Sequence, residues 1–212
     1  MNELKLILVD PNPGLCDAFR ERFKTSQNVE IVTGIFERLP AFDCMVSAAN
    51  SFGLMDGGVD AAITRFFGEE LQARVQKRIV DEFLGEQPIG TSIIVETMHP
   101  KHPFIAHTPT MRVPMAIAHT DHVYSAMWAM LLAVRQHNLQ SEKQINIVAC
   151  PGLGTSIGQV PHRQAARLMA LAYEHFLSPP KYIDWRFADK RQKSVRYGGD
   201  MGFRIPPEMD FD

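Results

Sequence analysis

The sequence predicts one α/β domain in which a buried sheet is covered by helices on both faces. Two observations predict this class. Segments with strand character alternate along the chain with segments of helical periodicity, and the strand segments are continuous apolar runs. Continuous apolar strands are typical of sheets that are buried on both sides. The length of 212 residues, of which 45% are hydrophobic and 22% charged, suits one such domain with an extension.

Six apolar runs are predicted as strands. They occupy residues 4–9, 29–33, 44–48, 92–96, 104–106 and 145–150. Helices are predicted at residues 15–23, 69–84, 121–135 and 161–176, with another beginning near Val59. From Leu71 to Phe83 apolar residues recur every four positions between charged ones, which indicates an amphipathic helix. Pro161 is placed at the start of the last helix, where proline is favoured.

Charge and cysteine content indicate the compartment and exclude some partners. The formal net charge of −2 gives no overall attraction to nucleic acid or to an anionic membrane. Cys16, Cys44 and Cys150 are odd in number and far apart, which favours reduced thiols in the cytosol. No secretory signal and no apolar run of membrane-spanning length is recognisable. We therefore expect a cytoplasmic protein without a membrane partner, and nucleic acid is not the expected ligand.

The composition changes after residue 178. Residues 181–204 contain seven Lys or Arg residues against three Asp, and the last stretch, 206–212, is acidic. We predict a domain over residues 1–178 and an extension over 179–212, either packed on the domain or mobile. The basic cluster could touch nucleic acid or a ligand's phosphates, although a solvated face is the default interpretation.

The first candidate binding segment follows the strand at 44–48. Asn50 lies at the strand end, a loop containing Gly57 and Gly58 follows, and a helix begins near Val59 with Asp60 in its first turn. Glycine lets the backbone approach a ligand closely, and a helix start presents unpaired N–H groups to phosphate or ribose oxygens. Asn50 can donate and accept hydrogen bonds, and Asp60 can accept them.

The second candidate segment joins the strand at 145–150 to the last helix. Its predicted ligand-binding residues are Gly152, Leu153, Gly154, Thr155, Ser156, Ile157 and Gly158. Exposed amides, hydroxyls and a helix start form an anion cradle. Because ligands of open α/β sheets bind beyond the carboxyl ends of the strands, the two loops are expected to converge on one phosphate-bearing ligand.

Two more specific interpretations compete with this one. Residues 154–158 fit G-x-S-x-G, the nucleophile elbow of α/β-hydrolases, but no acid followed by a separate histidine completes a triad after Ser156. The histidine pairs at 99 and 102 and at 119 and 122 lack the helical i, i+4 spacing of a zinc helix. We therefore expect no metal site and no cofactor. For His107, a packing role is at least as expected as a catalytic one.

The two loops together resemble a known family. Residues 43–63 resemble the macro-domain motif in which a V-N-A-A-N strand end is followed by a G-G-G-V-D loop and helix. Residues 150–158 are similar to that family's second loop, P-x-I-S-T-G-x-x-G. The segments 88–96 and 105–109 resemble its T-G-x-A-x-I-T and I-H-T segments, in the same order. The resemblance covers roughly residues 30–177.

Membership of the macro domain family (ADP-ribose-binding, Appr-1-p processing-like) would imply a fold, a ligand and a set of roles. The implied fold is a three-layer α/β/α unit with a mixed, mostly parallel sheet of six or seven strands. The implied partner is an ADP-ribose-like small molecule or an ADP-ribosylated target. Asn50 would contact the distal ribose, and Gly57, Gly58 and Val59 would wrap it. Asp60 matches the acidic residue tied to hydrolase activity, and residues 152–158 would cradle the diphosphate.

The sequence also departs from the family at functional positions. Ser47, a predicted ligand-binding residue, stands in place of the first asparagine of V-N-A-A-N, and Thr64 stands where active members often carry histidine. Ile35 replaces the aspartate that normally recognises the adenine amino group, so another acceptor such as Asp10 would have to substitute. Ser156 replaces a loop glycine. The sequence of residues 51–58 resembles a divergent macro-domain branch with bacterial and phage members.

Three functional hypotheses follow. The first is an ADP-ribosyl hydrolase in which Asn50 and Asp60 position a water against the distal ribose. The second is a module that binds ADP-ribose or a related nucleotide without turnover. The third is a structural or phage-associated protein that keeps the fold but not the ligand. The substitutions at Ser47, Thr64 and Ile35 favour the second hypothesis or an altered substrate.

Overall fold

A computed structural model describes residues 4–195 as one six-stranded sheet with helices packed against it. The strands are β1 (Lys5–Asp10), β2 (Val29–Thr33), β3 (Cys44–Asn50), β4 (Ile93–Glu96), β5 (Phe104–Met111) and β6 (Ile147–Cys150). The helices are α1 (Pro13–Arg22), α2 (Gly58–Phe67), α3 (Glu70–Phe83), α4 (His122–Gln140), α5 (His162–Leu177) and α6 (Trp185–Val195). A short 3-10 turn, Phe36–Arg38, follows β2.

The sheet has the order β2-β1-β6-β3-β5-β4. All neighbouring pairs are parallel except β4 with β5, which is antiparallel. The carboxyl ends of β1, β6 and β3 therefore meet at one edge of the sheet, near its middle. The two glycine-containing loops leave from β3 and β6, and this topology brings them to the same edge.

Two separate apolar cores cover the two faces of the sheet, as expected of a three-layer arrangement. One core packs α1, α4 and α5 against residues such as Leu8 and Val46. The other packs α2 and α3 against residues such as Met45 and Ile105. Successive residues of β3 thus point to opposite faces, as the pleat of a strand requires. This alternation decides which β3 side chains can meet α2.

Several elements differ in extent from those that the sequence predicted. β5 continues to Met111 instead of ending at residue 106, because all eight of its residues are buried and the strand passes Pro109 through an irregularity in the register with β3. α4 extends to Gln140 rather than residue 135. α6 was not predicted as a helix. β6 begins at Ile147, two residues later than expected.

The C-terminal helix contacts the domain through a few specific side chains. Arg167 of α5 donates to the carbonyls of Ser194 and Val195 at 2.9 and 2.7 Å. The Arg191 guanidinium lies 5.3 Å from the ring centroid of Trp128 and donates to the Tyr124 hydroxyl at 3.0 Å. The predicted boundary at residue 178 stays a prediction, and the acidic stretch at 206–212 lies outside the described residues.

Within residues 4–195, no helix combines the length and the apolar character that crossing a membrane requires. Cys16, Cys44 and Cys150 are all buried free thiols. Burial raises the pKa of the Cys44 and Cys150 thiols well above the usual range, so both are held neutral in the core.

Candidate functional site

A cavity of about 530 Å³ opens at the carboxyl edge of the sheet, and both glycine loops line it. Its volume lies in the range of small-molecule sites. We call residues 50–58 the first glycine loop and residues 152–158 the second. The end of β1 and residues 34–37 after β2 complete one side of the cavity. The position agrees with the general placement of ligands beyond parallel strand ends.

The first glycine loop is closed by the side chain of Asn50. Its Nδ2 donates to the Leu54 carbonyl at 2.7 Å, and its Oδ1 accepts from the Phe52 and Leu54 amides at 3.0 and 3.3 Å. Gly53 has a φ of +62°, and a Cβ there would lie 2.9 Å from both Val75 and Ile79. Asn50 therefore organises the loop, and its second Nδ2–H has no partner among residues 4–195.

Three glutamines, in α3 and in the segment after it, hold the same loop in place. The Met55 amide donates to Gln72 Oε1 at 2.7 Å, and Gln76 Nε2 donates to the Phe52 carbonyl at 3.3 Å. The backbone amide of Gln87 donates to the Ser51 carbonyl at 2.9 Å. A loop tied at several backbone groups presents its ligand-facing atoms in one geometry.

The start of α2 faces the cavity. Gly57 is the N-cap with extended backbone, Gly58 has a φ of +55°, and no described side chain caps this end of the helix. Gly57, Gly58 and Val59 all line the cavity. The uncapped N–H groups and the positive end of the helix dipole are thus available to a polar ligand.

Asp60 is a cavity-lining acid that is almost completely buried, with 5% of its surface exposed. Its Oδ1 accepts a hydrogen bond from Ser47 Oγ at 2.7 Å. Burial raises the pKa of the Asp60 carboxyl from 3.8 to about 7, the hydrogen bond from Ser47 opposes this rise, and the charge of Asp56 adds to it. Near neutral pH this carboxyl can therefore exchange a proton.

The second glycine loop folds back on itself. Val160 N–H donates to the Gly154 carbonyl at 3.0 Å, and Ile117 N–H donates to the Gly158 carbonyl at 2.8 Å. A Cβ at Gly158 would lie 2.5 Å from the Gly154 carbonyl oxygen, so only glycine fits this approach. Within residues 4–195 the amides of Ser156 and Ile157 donate to no other group. They are free to bind an anion.

Most of the predicted site residues line this cavity. They are Asn50, Gly57, Gly58, Val59, Asp60, Gly152, Gly154, Thr155, Ser156, Ile157 and Gly158. Ser47 and Leu153 are placed differently, because both are fully buried and neither lines the cavity. Ser47 lies beneath Asp60, and Leu153 packs into the core shared by α1, α4 and α5.

The side of the cavity near β1 and β2 contains both Ile35 and Asp10. Ile35 is 41% exposed and lines the cavity. Asp10 Oδ1 accepts the Asn12 amide at 2.9 Å, and its Oδ2 accepts the Gly152 amide at 3.2 Å. Each oxygen keeps a further lone pair, so the carboxylate can still accept from a ligand.

Some cavity residues were missed by the sequence analysis. His162, the first residue of α5, lines the cavity, as do Thr110 and Pro114 near the end of β5. His162 could have been found, because it follows the second glycine loop after a helix-starting proline. Thr110 and Pro114 could not, because the strand leading to them was predicted to stop at residue 106.

The charged side chains that line the cavity are acidic. They are Asp10, Glu37, Asp56 and Asp60, and no Lys or Arg of the described part of the chain lines the cavity. These carboxylates repel a phosphate, and no lysine or arginine among the described lining residues offsets the repulsion. A phosphate would therefore be held mainly by backbone N–H groups and helix starts.

His107 does not line the cavity. It is fully buried in β5, its Nδ1 lies 2.7 Å from Gln87 Oε1, and burial lowers its pKa to about 3. The ring is thus neutral, with Nδ1 donating to the glutamine oxygen. In residues 4–195 no group of three or more His, Cys, Asp or Glu side chains is arranged to hold a metal ion.

Comparison with known sequences identifies the family. Residues 46–169, more than half of the chain, match the family model described as Macro domain. An uncharacterized protein of Aquifex aeolicus is 34% identical over 158 residues, covering 74% of this chain and 86% of that protein. Another, from Aeropyrum pernix, is 27% identical over 142 residues, covering 66% and 69%. The chain belongs to the macro domain family, as its motifs predicted.

Solved structures confirm the predicted fold class. The macrodomain of Mycobacterium tuberculosis DarG matches with a TM-score of 0.56 at 21% identity, over 67% of this chain and 87% of that one. A variant of the Oceanobacillus iheyensis macrodomain with ADPR matches with a TM-score of 0.57 at 23% identity, over 76% and 88%. The same macrodomain with ADP gives 0.57 at 23% identity, over 76% and 86%.

Proposed function

We propose that the cavity binds ADP-ribose or a closely related nucleotide derivative. One observation carries the proposal: both glycine loops, which lie about a hundred residues apart in the sequence, line the same cavity of about 530 Å³. Solved macrodomains of the same fold contain ADPR and ADP. The nucleotide's partner in the cell would be the free small molecule or an ADP-ribosylated target.

The free donors of the cavity suggest how the ligand lies. The amides of Ser156 and Ile157 and the rest of the second glycine loop would hold the diphosphate. The distal ribose would lie against α2, where the second Nδ2–H of Asn50 can donate to a hydroxyl and Gly57 allows close approach. The base would lie beside Ile35, with Asp10 as the acceptor for an amino group.

Hydrolysis of an ADP-ribosyl linkage is a second candidate function, and the placement of Asp60 favours it. A buried carboxyl in a cleft, with a pKa near 7, is suited to general-base work. It would take a proton from a water molecule whose oxygen bonds to the anomeric carbon. The bond to the leaving group would break, and the leaving group would depart with the bonding electron pair. Asn50 would help to position the ribose for this attack.

Calorimetry with ADP-ribose tests the binding proposal. The full chain should bind ADP-ribose more tightly than ribose 5-phosphate, and replacing adenine by hypoxanthine should weaken binding if Asp10 accepts from the amino group. Absence of binding to ADP-ribose would overturn the proposal and leave a protein that keeps the fold without the ligand. A cytoplasmic location, predicted from the cysteines, fits such a ligand.

Release of ADP-ribose from a modified protein tests the second candidate. Asp60→Ala should abolish release, whereas Asp17→Ala, an exposed position on α1, should leave release unchanged. Binding without release by the wild-type chain would identify a module that reads ADP-ribose. Release that survives Asp60→Ala would show that Asp60 has no catalytic role.

A further inference from the structure

The contact beneath Asp60 is a hydrogen bond from a side chain that does not reach the cavity. Ser47 lies in β3, is fully buried, and donates through Oγ to Asp60 Oδ1 at 2.7 Å. Within residues 4–195 this is the only side-chain hydrogen bond that Asp60 makes. This hydrogen bond therefore connects the Ser47 side chain to the cavity through Asp60.

The pleat of β3 explains why a hydroxyl is found there. Met45 and Ser47 are two residues apart and point to the face covered by α2 and α3, whereas Val46 points to the other face. An apolar residue at position 47 would extend the core but would leave Asp60 Oδ1 buried without a partner. A buried acceptor without a partner destabilises a fold, and the Ser47 hydroxyl prevents this cost at Asp60.

The neighbouring strand supplies no substitute donor. His107 of β5 is the Cα partner of Ser47 in the sheet and faces the same side. Its Nδ1 is engaged by Gln87, and its Nε2 is buried with no partner among the described residues. Because the ring is neutral and Nδ1 carries the proton, Nε2 is an acceptor and cannot replace Ser47.

We infer that Ser47 is a positioning residue, which fixes Oδ1 of Asp60 toward the sheet so that Oδ2 is presented to the cavity. The inference deepens the proposed function and rests on it only for the identity of the ligand. Ser47 touches neither the ligand nor the reacting atoms in this assignment. The ligand-binding role predicted for it from the sequence is replaced by an indirect one.

The assignment has a titration signature of defined sign. The groups that face Asp60 or share its cavity are Ser47, Asp56, Asp10, Glu37, His162 and the neutral His107. The Ser47 hydrogen bond lowers the pKa of Asp60, and the charge of Asp56 raises it. Ser47→Ala should therefore move the titration midpoint of Asp60 upward from about 7, and Asp56→Asn should move it downward.

Carboxyl carbon NMR of the ligand-free full chain measures this midpoint, with the Asp60 signal assigned by its loss in Asp60→Asn. We expect an upward shift in Ser47→Ala, a downward shift in Asp56→Asn, and a near wild-type value in Ser47→Thr, which keeps the hydroxyl. In the wild-type chain, the Ser47 hydroxyl proton should exchange slowly with solvent. If turnover is present, Ser47→Ala should lower kcat with little change in KM.

An unchanged or lower midpoint in folded Ser47→Ala, or a rapidly exchanging Ser47 hydroxyl in the wild-type chain, would overturn the assignment. The two proposals fail separately, since the titration needs no ligand. A chain that shows the expected shifts but binds no ADP-ribose would keep the positioning role and lose the proposed ligand. A chain that binds ADP-ribose without these pKa shifts would keep the proposed ligand and lose the positioning role of Ser47.

Discussion

The backbone amide of Gly152 donates to Oδ2 of Asp10 at 3.2 Å, which ties the second glycine loop to the end of the first strand. The two residues are far apart in sequence, but β1 and β6 are neighbours in the sheet. The bond holds the loop where its free amides face the cavity.

Gly152→Ala should destabilise the protein and weaken ADP-ribose binding. A Cβ would lie 2.3 Å from Leu15 Cδ2 and 2.7 Å from Thr155 Oγ1, so α1 or the loop must shift. Overpacking of this kind destabilises by about 1–3 kcal/mol. Thermal unfolding and calorimetry measure the two effects. Gly34→Ala is the matched control for stability, because its Cβ would meet only Val32 at 3.9 Å, and an equal loss of stability in that variant would contradict the explanation.

Asn50→Ala should loosen the first glycine loop and lower the affinity for ADP-ribose by tenfold or more, an energy of about 1.4 kcal/mol. The substitution removes all three hydrogen bonds that close the loop. Asn50→Asp keeps the acceptor for Phe52 and Leu54 but loses the donor. It should therefore be closer to wild type in stability while still binding weakly. Equal affinities for wild type and Asn50→Ala would show that the loop needs no such closure.

Asp60 should make the stability of the protein fall as the pH rises from about 4 to about 7. The pKa of its carboxyl is 3.8 ordinarily and about 7 in the fold, so between these values the folded state holds the extra proton. The stabilisation is complete below the lower value and is lost as the pH passes the higher one. Denaturant unfolding of wild type and Asp60→Asn across this range measures it. A constant difference between the two would contradict the raised pKa.

His107 should have the opposite effect. Burial lowers its pKa from 6.5 to about 3, so between these values the unfolded chain binds the extra proton. Stability from this group is present above pH 6.5 and is lost as the pH falls toward 3. His107→Gln cannot take up the proton, and its free energy of unfolding should decline less on acidification. A decline equal to that of wild type would indicate that His107 is already protonated in the fold.

A chain ending at Ser178 should fold and bind ADP-ribose, but should melt at a lower temperature. It would lose the contacts of α6, including Arg191 with Trp128 and the backbone carbonyls that Arg167 binds. For a domain of this size each kcal/mol lost lowers the melting temperature by roughly 2–4 °C. Failure of the shortened chain to fold would move the domain boundary beyond residue 178, and an unchanged melting temperature would mean that α6 adds nothing.

Much of the fold was predictable because apolar runs and helical periodicity within short segments indicate strands and helices. The apolar run at β3 and the amphipathic spacing of α3 needed no tertiary information. The end of β5 was missed, because Pro109 is a signal against a strand and only burial on both faces overrides it. α6 was missed because its sequence is mostly polar and basic, and its few contacts, such as Arg191 on Trp128, come from distant helices.

Part of the cavity lining was predictable for the same reason. Loop residues such as Gly57 and Gly154 were found because glycine before a helix has a local meaning. The burial of Ser47 and Leu153 was not predicted. A residue in a strand or a loop has the same local sequence whether its side chain faces a ligand or the core. Thr110 was missed because β5 is longer than the sequence predicted.

The sequence by itself determined the family, the three-layer class and the two glycine loops, because alternating periodicities and turn residues act over short stretches of chain. The tertiary structure decided which of these residues meet. The order of the strands brings Asp10 to Gly152, and the pleat of β3 brings Ser47 under Asp60. The raised pKa of Asp60 follows from the burial of its carboxyl in the folded chain, and no local sequence pattern predicts that burial.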